Sequence, residues 1–328
     1  MNYRSLGKTG FEVSEISLGT WQVGGKWGSK FDHSLADSVI REAIDRGVNF
    51  IDTADVYSEG ESEIAVGKAV RESGVKVRVA TKCGRQINPH VNKGYTSAVL
   101  RGYVEDSLRR MGTDCLDLIQ LHCPPTEVYY RPEVFGILDD FVAAGKLRHY
   151  GVSVEKVEEA VKAVEFPGVQ SVQIIFNIFR QRPADLFFTE AKRRKVGILA
   201  RLPLSSGMLA GKMTRTAQFA PDDHRLGNRQ GEWFDRGETF SGVDFETGLE
   251  AVEALRPLIP PGVSMAQFAM RWILEFDAVT CAIPGAKRPA QAEENIAAAD
   301  LPPLNPETMR AVRAIYEQRI QPLVHHYW

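Results

Sequence analysis

Gly47-Val-Asn-Phe-Ile-Asp52-Thr-Ala-Asp-Val-Tyr57 is a short apolar run that ends on a carboxylate, with a phenol five residues further on. Two later runs also end on an ionisable group: Val77-Arg-Val-Ala-Thr-Lys82 and Leu116-Asp-Leu-Ile-Gln-Leu-His122. Asp52, Lys82 and His122 at strand ends, with Tyr57 just beyond one, make a proton-transfer cluster if these strands are parallel neighbours.

Outward from these runs the same pattern repeats. Strand-like segments fall at 16–20, 48–52, 77–82, 116–122, 148–153, 170–176, 196–202 and 279–283, separated by helical periodicity such as 34–47, 97–111, 155–164 and 264–275. Strand-helix alternation requires a parallel sheet, because each helix returns the chain before the next strand begins. Eight such units predict an α/β fold, a closed (β/α)8 TIM barrel formed as a single domain over residues 1–328. A doubly wound sheet fits the alternation too, but the G-x-G-x-x-G phosphate turn after its first strand is absent. Before the barrel, Tyr3 to Ser14 places a Gly-containing turn between two alternating runs and reads as a β-hairpin. Long connections, Trp21 to Phe31, Cys123 to Pro132 and Met213 to Phe245, follow the first, fourth and seventh strands. All lie at the C-terminal face, where barrel active sites form. Trp21, Trp27, Tyr129, Tyr130, Trp233 and Phe234 give them aromatic surface for an organic ligand.

The chain has 328 residues and a formal net charge of −2, with no basic or acidic block. That balance offers no electrostatic case for nucleic acid or an anionic membrane as partner. No apolar run approaches the ~20 residues that span a bilayer, and Met1-Asn-Tyr-Arg-Ser lacks a signal-peptide core. A cytoplasmic location is expected. The four cysteines, Cys83, Cys115, Cys123 and Cys281, have neither CxxC spacing nor disulfide density and read as small core thiols.

Alone, Asp52 reads as a cap or turn residue and His122 as a core histidine. Lys82 is less ordinary. A lysine closing an apolar strand must be paired or lose its proton, and Asp52 on the adjacent strand is an available partner. A lysine beside Tyr57 stabilises the phenolate and lowers the phenol toward a working range, which makes Tyr57 a general acid. His122 then supplies a hydrogen bond to a substrate oxygen, so that hydride reduction of a carbonyl finds a proton donor and a second donor for the alkoxide. A lyase using Lys82 as a Schiff-base nucleophile is the competing chemistry, and Asp52 argues against it by favouring charged lysine. The histidines show no metal-ligand spacing, and no metal is expected. Arg201 to Lys212 fails the P-loop pattern, yet its small residues suit a pyrophosphate; Ile283 to Asn295 is a basic turn entering a helix, suited to phosphate.

These residues, together with Leu6-Gly-Lys-Thr-Gly10, Ser17-Leu-Gly-Thr-Trp21, Gly151-Val-Ser153 and Pro203-Leu204, resemble the aldo-keto reductases. Within that family the likeness is to bacterial members nearer the potassium-channel beta subunits than the mammalian hydroxysteroid enzymes. It implies a barrel whose bottom is closed by the hairpin, with NADP(H) at the C-terminal face. It implies Tyr57 as general acid tuned by Lys82 and Asp52, with His122 orienting the carbonyl. It implies cofactor contacts from Gly19, Thr20, Trp21 and Asp52, with Ser153 and Gln173 holding the nicotinamide carboxamide. Arg201, Leu204, Gly207, Leu209 and Lys212 follow, the last three bordering the pyrophosphate. Gly285, Lys287, Gln291, Glu294 and Asn295 fall to the adenosine end. Trp21, Trp27, Tyr57 and His122 are the implied substrate contacts. Arg201 stands where the family carries the aromatic that stacks on nicotinamide, and Val154 where it carries Asn. The implied activity is NADPH-dependent reduction of an aldehyde or ketone; an NADP(H)-binding regulatory or sensing module with slow turnover is the alternative. The tail Arg319 to Trp328 carries unusual aromatic surface and is read as docking, over the active site of its own or a partner subunit or on the outside of the barrel, with a homodimer through it as one outcome.

Overall fold

The computed structural model describes residues 1–25 and 30–328. Strands β1 (Tyr3–Ser5) and β2 (Glu12–Ser14) pair antiparallel as the expected hairpin. Eight parallel strands follow: β3 (Leu18–Gly19), β4 (Phe50–Asp52), β5 (Arg78–Cys83), β6 (Leu116–His122), β7 (Leu147–Ser153), β8 (Val169–Ile175), β9 (Gly197–Arg201) and β10 (Val279–Ala282). Each pairs with the next in chain order. The ring closes where Ile16 bridges Ala282 and Gly19 bridges Gly285, with Ser17 N–H donating to Ala282 O at 2.9 Å and Gly19 N–H to Pro284 O at 2.9 Å. Glycine at 19 permits that approach, since a Cβ there would lie 3.0 Å from Ile283 O. This is the (β/α)8 barrel.

The connecting helices bury one stripe each. In α1 (His33–Asp45), Asp32 caps the N-terminus by accepting from Ser34 and Leu35 N–H at 3.0 Å, and Ala36, Val39, Ile40, Ala43 and Ile44 form the buried face. That is the i, i+3, i+4, i+7 spacing of a helix packed on a sheet. The helices expected at 97–111, 155–164 and 264–275 are observed as Ser97–Met111, Val157–Ala163 and Met265–Leu274.

Alternation along the strands stacks the interior in layers. Phe50, Ala80, Leu118, Leu199 and Cys281 form the lower layer, and the hairpin inserts Leu6, Phe11 and Val13 into it. Two residues further along the same strands the interior turns polar: Asp52 above Phe50, Lys82 above Ala80, Gln120 and then His122 above Leu118, Arg201 above Leu199. The site therefore stands on a dry floor and opens at the C-terminal face.

Candidate active site

Asp52 and Lys82 end adjacent strands and meet inside the barrel. Lys82 Nζ donates to Asp52 Oδ2 at 2.7 Å, to Thr53 O at 2.8 Å and to Tyr57 Oη at 3.3 Å. Asp52 Oδ1 accepts from Gln173 Nε2 at 2.7 Å, so both carboxylate oxygens are satisfied although the group is buried. Burial opposes the charge on Lys82, but Asp52 and then Tyr57 outweigh it and hold the ammonium above its ordinary range. A lysine kept charged is a poor Schiff-base nucleophile, which removes the chemical basis of the lyase reading.

Tyr57 is carried by a tight turn. Ser58 (φ 48°), Glu59 (φ 58°) and Gly60 (φ 92°) follow it in left-handed conformation, a costly run for the two non-glycine residues. The turn is pinned by a hydroxyl chain: Thr53 Oγ1 to Ser62 Oγ (2.9 Å), Ser62 Oγ to Thr20 Oγ1 (2.8 Å) and Thr20 Oγ1 to Asp52 O (2.9 Å). The tyrosine ring meets His122 edge-on, centroids 6.1 Å apart and planes at 81°. The expected lowering of the phenol is not the net result. Burial raises it, and the opposing pull of Lys82 is smaller. Tyr57 thus holds its proton firmly until the reaction draws it.

Burial, with Lys82, Arg85 and Arg201 behind it, depresses His122 well below the usual histidine range. The ring is neutral. Its Nδ1 is buried with no partner among the described residues, which favours placing the proton on Nε2.

Tyr57 and His122 border a cavity of about 470 Å³. Of the residues proposed from sequence, Gly19, Thr20, Trp21 and Asp52 line it, as do Ser153, Gln173, Arg201 and Leu204, and then Gly207, Gly285, Lys287 and Gln291. Leu209 does not: it is wholly buried in the core. Lys212 is exposed away from the lining, Glu294 is half-buried outside it, and Asn295 is buried, its Nδ2 donating to Gly285 O at 3.2 Å to brace that turn. Trp27 lies outside the described residues. Of the loop aromatics, Trp21 and Phe234 reach the cavity, Tyr129 is buried beneath Ser153 O, and Tyr130 stacks with Lys162 on the outside. The 123–132 connection contributes no lining residue; its length serves packing against the barrel wall.

Several lining residues were not anticipated: Arg85, His224, Arg225 and Glu238. Arg85 stands three residues after Lys82 and was legible as a strand-end cation; the others sit in the aperiodic 213–245 connection. Arg201 is tied down by Glu238 (3.3 Å), Val154 O (3.2 Å) and Cys123 Sγ (3.6 Å), and Arg85 by Glu155 (3.3 Å) and Glu238 (4.0 Å). Cys123, Glu155 and Glu238 come within 4.8 Å of one another, but both carboxylates pair with the guanidinium groups, burial and then Glu238 raise Glu155 to about 7, and burial pushes the thiol up to about 12. This is an ion-pair network in chemistry, not a metal-ligand set.

A barrel with a buried Lys-Asp pair touching a tyrosine, and a neutral histidine across the cavity, has its counterpart among known proteins. The profile of the aldo/keto reductase family matches residues 15–317. The chain belongs to this family. Aldo-keto reductase YhdN of Bacillus subtilis is 34% identical over 302 residues, covering 89% of this chain and 87% of that protein. A probable voltage-gated potassium channel subunit beta of Arabidopsis thaliana is 28% identical, with 93% of each chain covered. Among solved structures, the glycerol dehydrogenase AKR11B4 from Gluconobacter oxydans superposes with a TM-score of 0.79 at 28% identity, covering 97% of this chain and 96% of that one. In this aldo-keto reductase Asp52, Lys82 and His122 come from strand ends and Tyr57 from the turn beyond β4, and the four meet at the C-terminal face. The expected tail docking is also observed, within the chain: Trp328 is buried, its Nε1 donating to Asp235 Oδ1 at 2.9 Å. It lies beside the cavity without lining it. No helix among the described residues is long and apolar enough to cross a membrane.

Proposed function

We propose that this aldo-keto reductase uses NADP(H) to reduce an aldehyde or ketone to an alcohol. The observation that carries the reading is Lys82 Nζ held between Asp52 and Tyr57, 2.7 and 3.3 Å away, with His122 facing the tyrosine ring. The lining fits a nicotinamide dinucleotide by its donor set. Ser153 offers a hydroxyl and Gln173 an amide for a carboxamide, Gly207 and Gly285 expose backbone for a pyrophosphate, and Lys287 beside Gln291 suits a phosphate. Bound there, NADPH supplies the hydride. His122 Nε2–H and Tyr57 Oη–H hydrogen-bond the carbonyl oxygen and polarise it. As negative charge grows on that oxygen, Tyr57 delivers its proton and the neighbouring Lys82 ammonium stabilises the phenolate left behind. Asp52 keeps Lys82 charged and fixed, and Gln173 keeps Asp52 in place.

NADP(H) over NAD(H) is favoured by Lys287 in the lining and Arg288 at the start of the helix Pro289–Ile296. The substrate is a small carbonyl compound, the protein is cytoplasmic, and residues 1–328 act as one unit. We place the chain with bacterial members near the potassium-channel beta subunits as part of this proposal, and the 28% identity to one such subunit supports a second reading, a slow NADP(H)-responsive module. Steady-state NADPH oxidation with a carbonyl panel separates the two. Tyr57→Phe is expected to lower turnover at least ~100-fold while cofactor affinity, read by fluorescence titration, stays within a few-fold. Unchanged turnover in that variant refutes the assigned acid.

A further inference from the structure

The cavity wall carries two guanidinium groups, Arg85 and Arg201, close enough to His122 to depress it. Arginines placed like this ordinarily select substrates that bring a carboxylate or phosphate. Here the charge is already answered. Glu238 bridges both, at 3.3 Å from Arg201 and 4.0 Å from Arg85, and Glu155 lies 3.3 Å from Arg85. An anionic substrate must displace Glu238 or approach it against like charge.

Glu238 has no rigid element of its own. It sits in a short turn, Arg236–Glu238, within the long connection between β9 and β10. Ser206 Oγ holds one side of that turn by donating to Glu238 O at 2.9 Å, and the far end of the sequence braces the other. Trp328 inserts between the Arg180 guanidinium, 3.8 Å from its ring, and Gly237 and Gly242, where a Cβ would collide with the indole. Its Nε1 donates to Asp235 Oδ1, the same oxygen that accepts Gly237 N–H at 2.7 Å. Arg180 in turn donates to the main-chain Glu155 O at 3.0 Å, so the tail ring, the turn and the Glu155 backbone form one connected unit.

Resting on the carbonyl-reductase reading, we propose that Glu238, held in place by the docked Trp328 ring, neutralises Arg201 and Arg85 and makes the cavity selective for uncharged carbonyl substrates. Glu238 is the specificity-determining residue and Trp328 a positioning residue acting through it. Arg201 Nη1, 3.3 Å from Glu238 Oε1, is the donor that an anion would gain once Glu238 is removed.

The test compares kcat/KM for 4-nitrobenzaldehyde, neutral, and 4-carboxybenzaldehyde, anionic at neutral pH and of similar size. The wild-type protein should prefer the neutral aldehyde at least ~10-fold, and Glu238→Gln should shift that ratio toward the anion at least ~10-fold, mainly through the KM of the anionic aldehyde. Trp328→Ala should shift it in the same direction, and Trp328→Phe, which keeps a ring but loses the Asp235 bond, should restore much of the wild-type ratio. A purely structural tail lowers both activities alike and leaves the ratio alone. Wild-type turnover with a ratio unmoved by Glu238→Gln overturns the inference by itself. A ratio moved by Glu238→Gln but by neither tail variant overturns the positioning role. No turnover of either aldehyde by the wild type overturns this inference together with the reductase reading.

Discussion

Burial moves Tyr57 and His122 in opposite directions on the pH scale, because it penalises phenolate in one and imidazolium in the other. Tyr57 keeps its acid form below its raised value and loses it only as pH rises through that value, above the ordinary ~10 of a phenol. His122 is neutral throughout the neutral range. For a neutral aldehyde kcat/KM should therefore be flat from about pH 6 to about pH 9 and fall only on the alkaline side. An acid limb near pH 6.5 that vanishes in His122→Gln would contradict the neutral imidazole. Asp55 shows the same physics away from the chemistry. Both its oxygens are buried with no partner among the described residues. Burial first, then Glu63, raises it from 3.8 to about 7. Between those values the folded protein binds a proton that the unfolded chain has released, so stability falls as pH rises through this window. Asp55→Asn should remove the dependence. Denaturant unfolding is expected to show the variant gaining on the wild type by on the order of 3 kcal/mol between pH 4 and pH 8. Parallel curves for the two proteins would mean that Asp55 is solvated.

At the scale of elements, the hairpin is a plug. Phe11 is buried against the lower barrel layer, and Arg4 donates to Leu274 O (2.7 Å), Val279 O (2.8 Å) and Phe276 O (3.3 Å) while pairing with buried Glu15 at 3.1 Å. Phe11→Ala should cost about 3–5 kcal/mol, read as a lower unfolding midpoint, with the site geometry above the plug unaltered. A loss under ~1 kcal/mol would show that the floor reseals without the hairpin. Such elements were legible because they obey pattern: short apolar runs between helical segments marked all eight strands, and their last ionisable residues marked Asp52, Lys82 and His122. What escaped has no period. Ser58 and Glu59 adopt left-handed backbone that no local pattern announces, and it sets where Tyr57 points. Glu238 and His224 reach the cavity from a connection whose path is fixed by contacts distant in sequence, such as Trp328 with Asp235. Lys212 and Leu209 do not line the cavity, because a motif gives position along the chain but not the direction of a side chain.

The whole molecule couples the cavity to the barrel's closure. Gly19, which bridges Gly285 across the seam between β3 and β10, lines the cavity, and so do Pro284 and Gly285 on the other side of that seam. A dinucleotide lying against both sides binds only the closed barrel, so its binding free energy adds to the stability of the fold. At about 100 times its dissociation constant NADPH should contribute about 2.7 kcal/mol. For a chain of this size that corresponds to a rise in unfolding midpoint of roughly 4 °C. NADH at the same concentration should give less, and Lys287→Ala should shrink the NADPH shift while sparing that of NADH, since only NADPH carries the extra phosphate. Equal shifts with both cofactors would remove the case for NADP(H), and no shift with either would remove the cofactor site. A shift with NADPH that survives Lys287→Ala would move the phosphate contact to Arg288, at the start of the same helix.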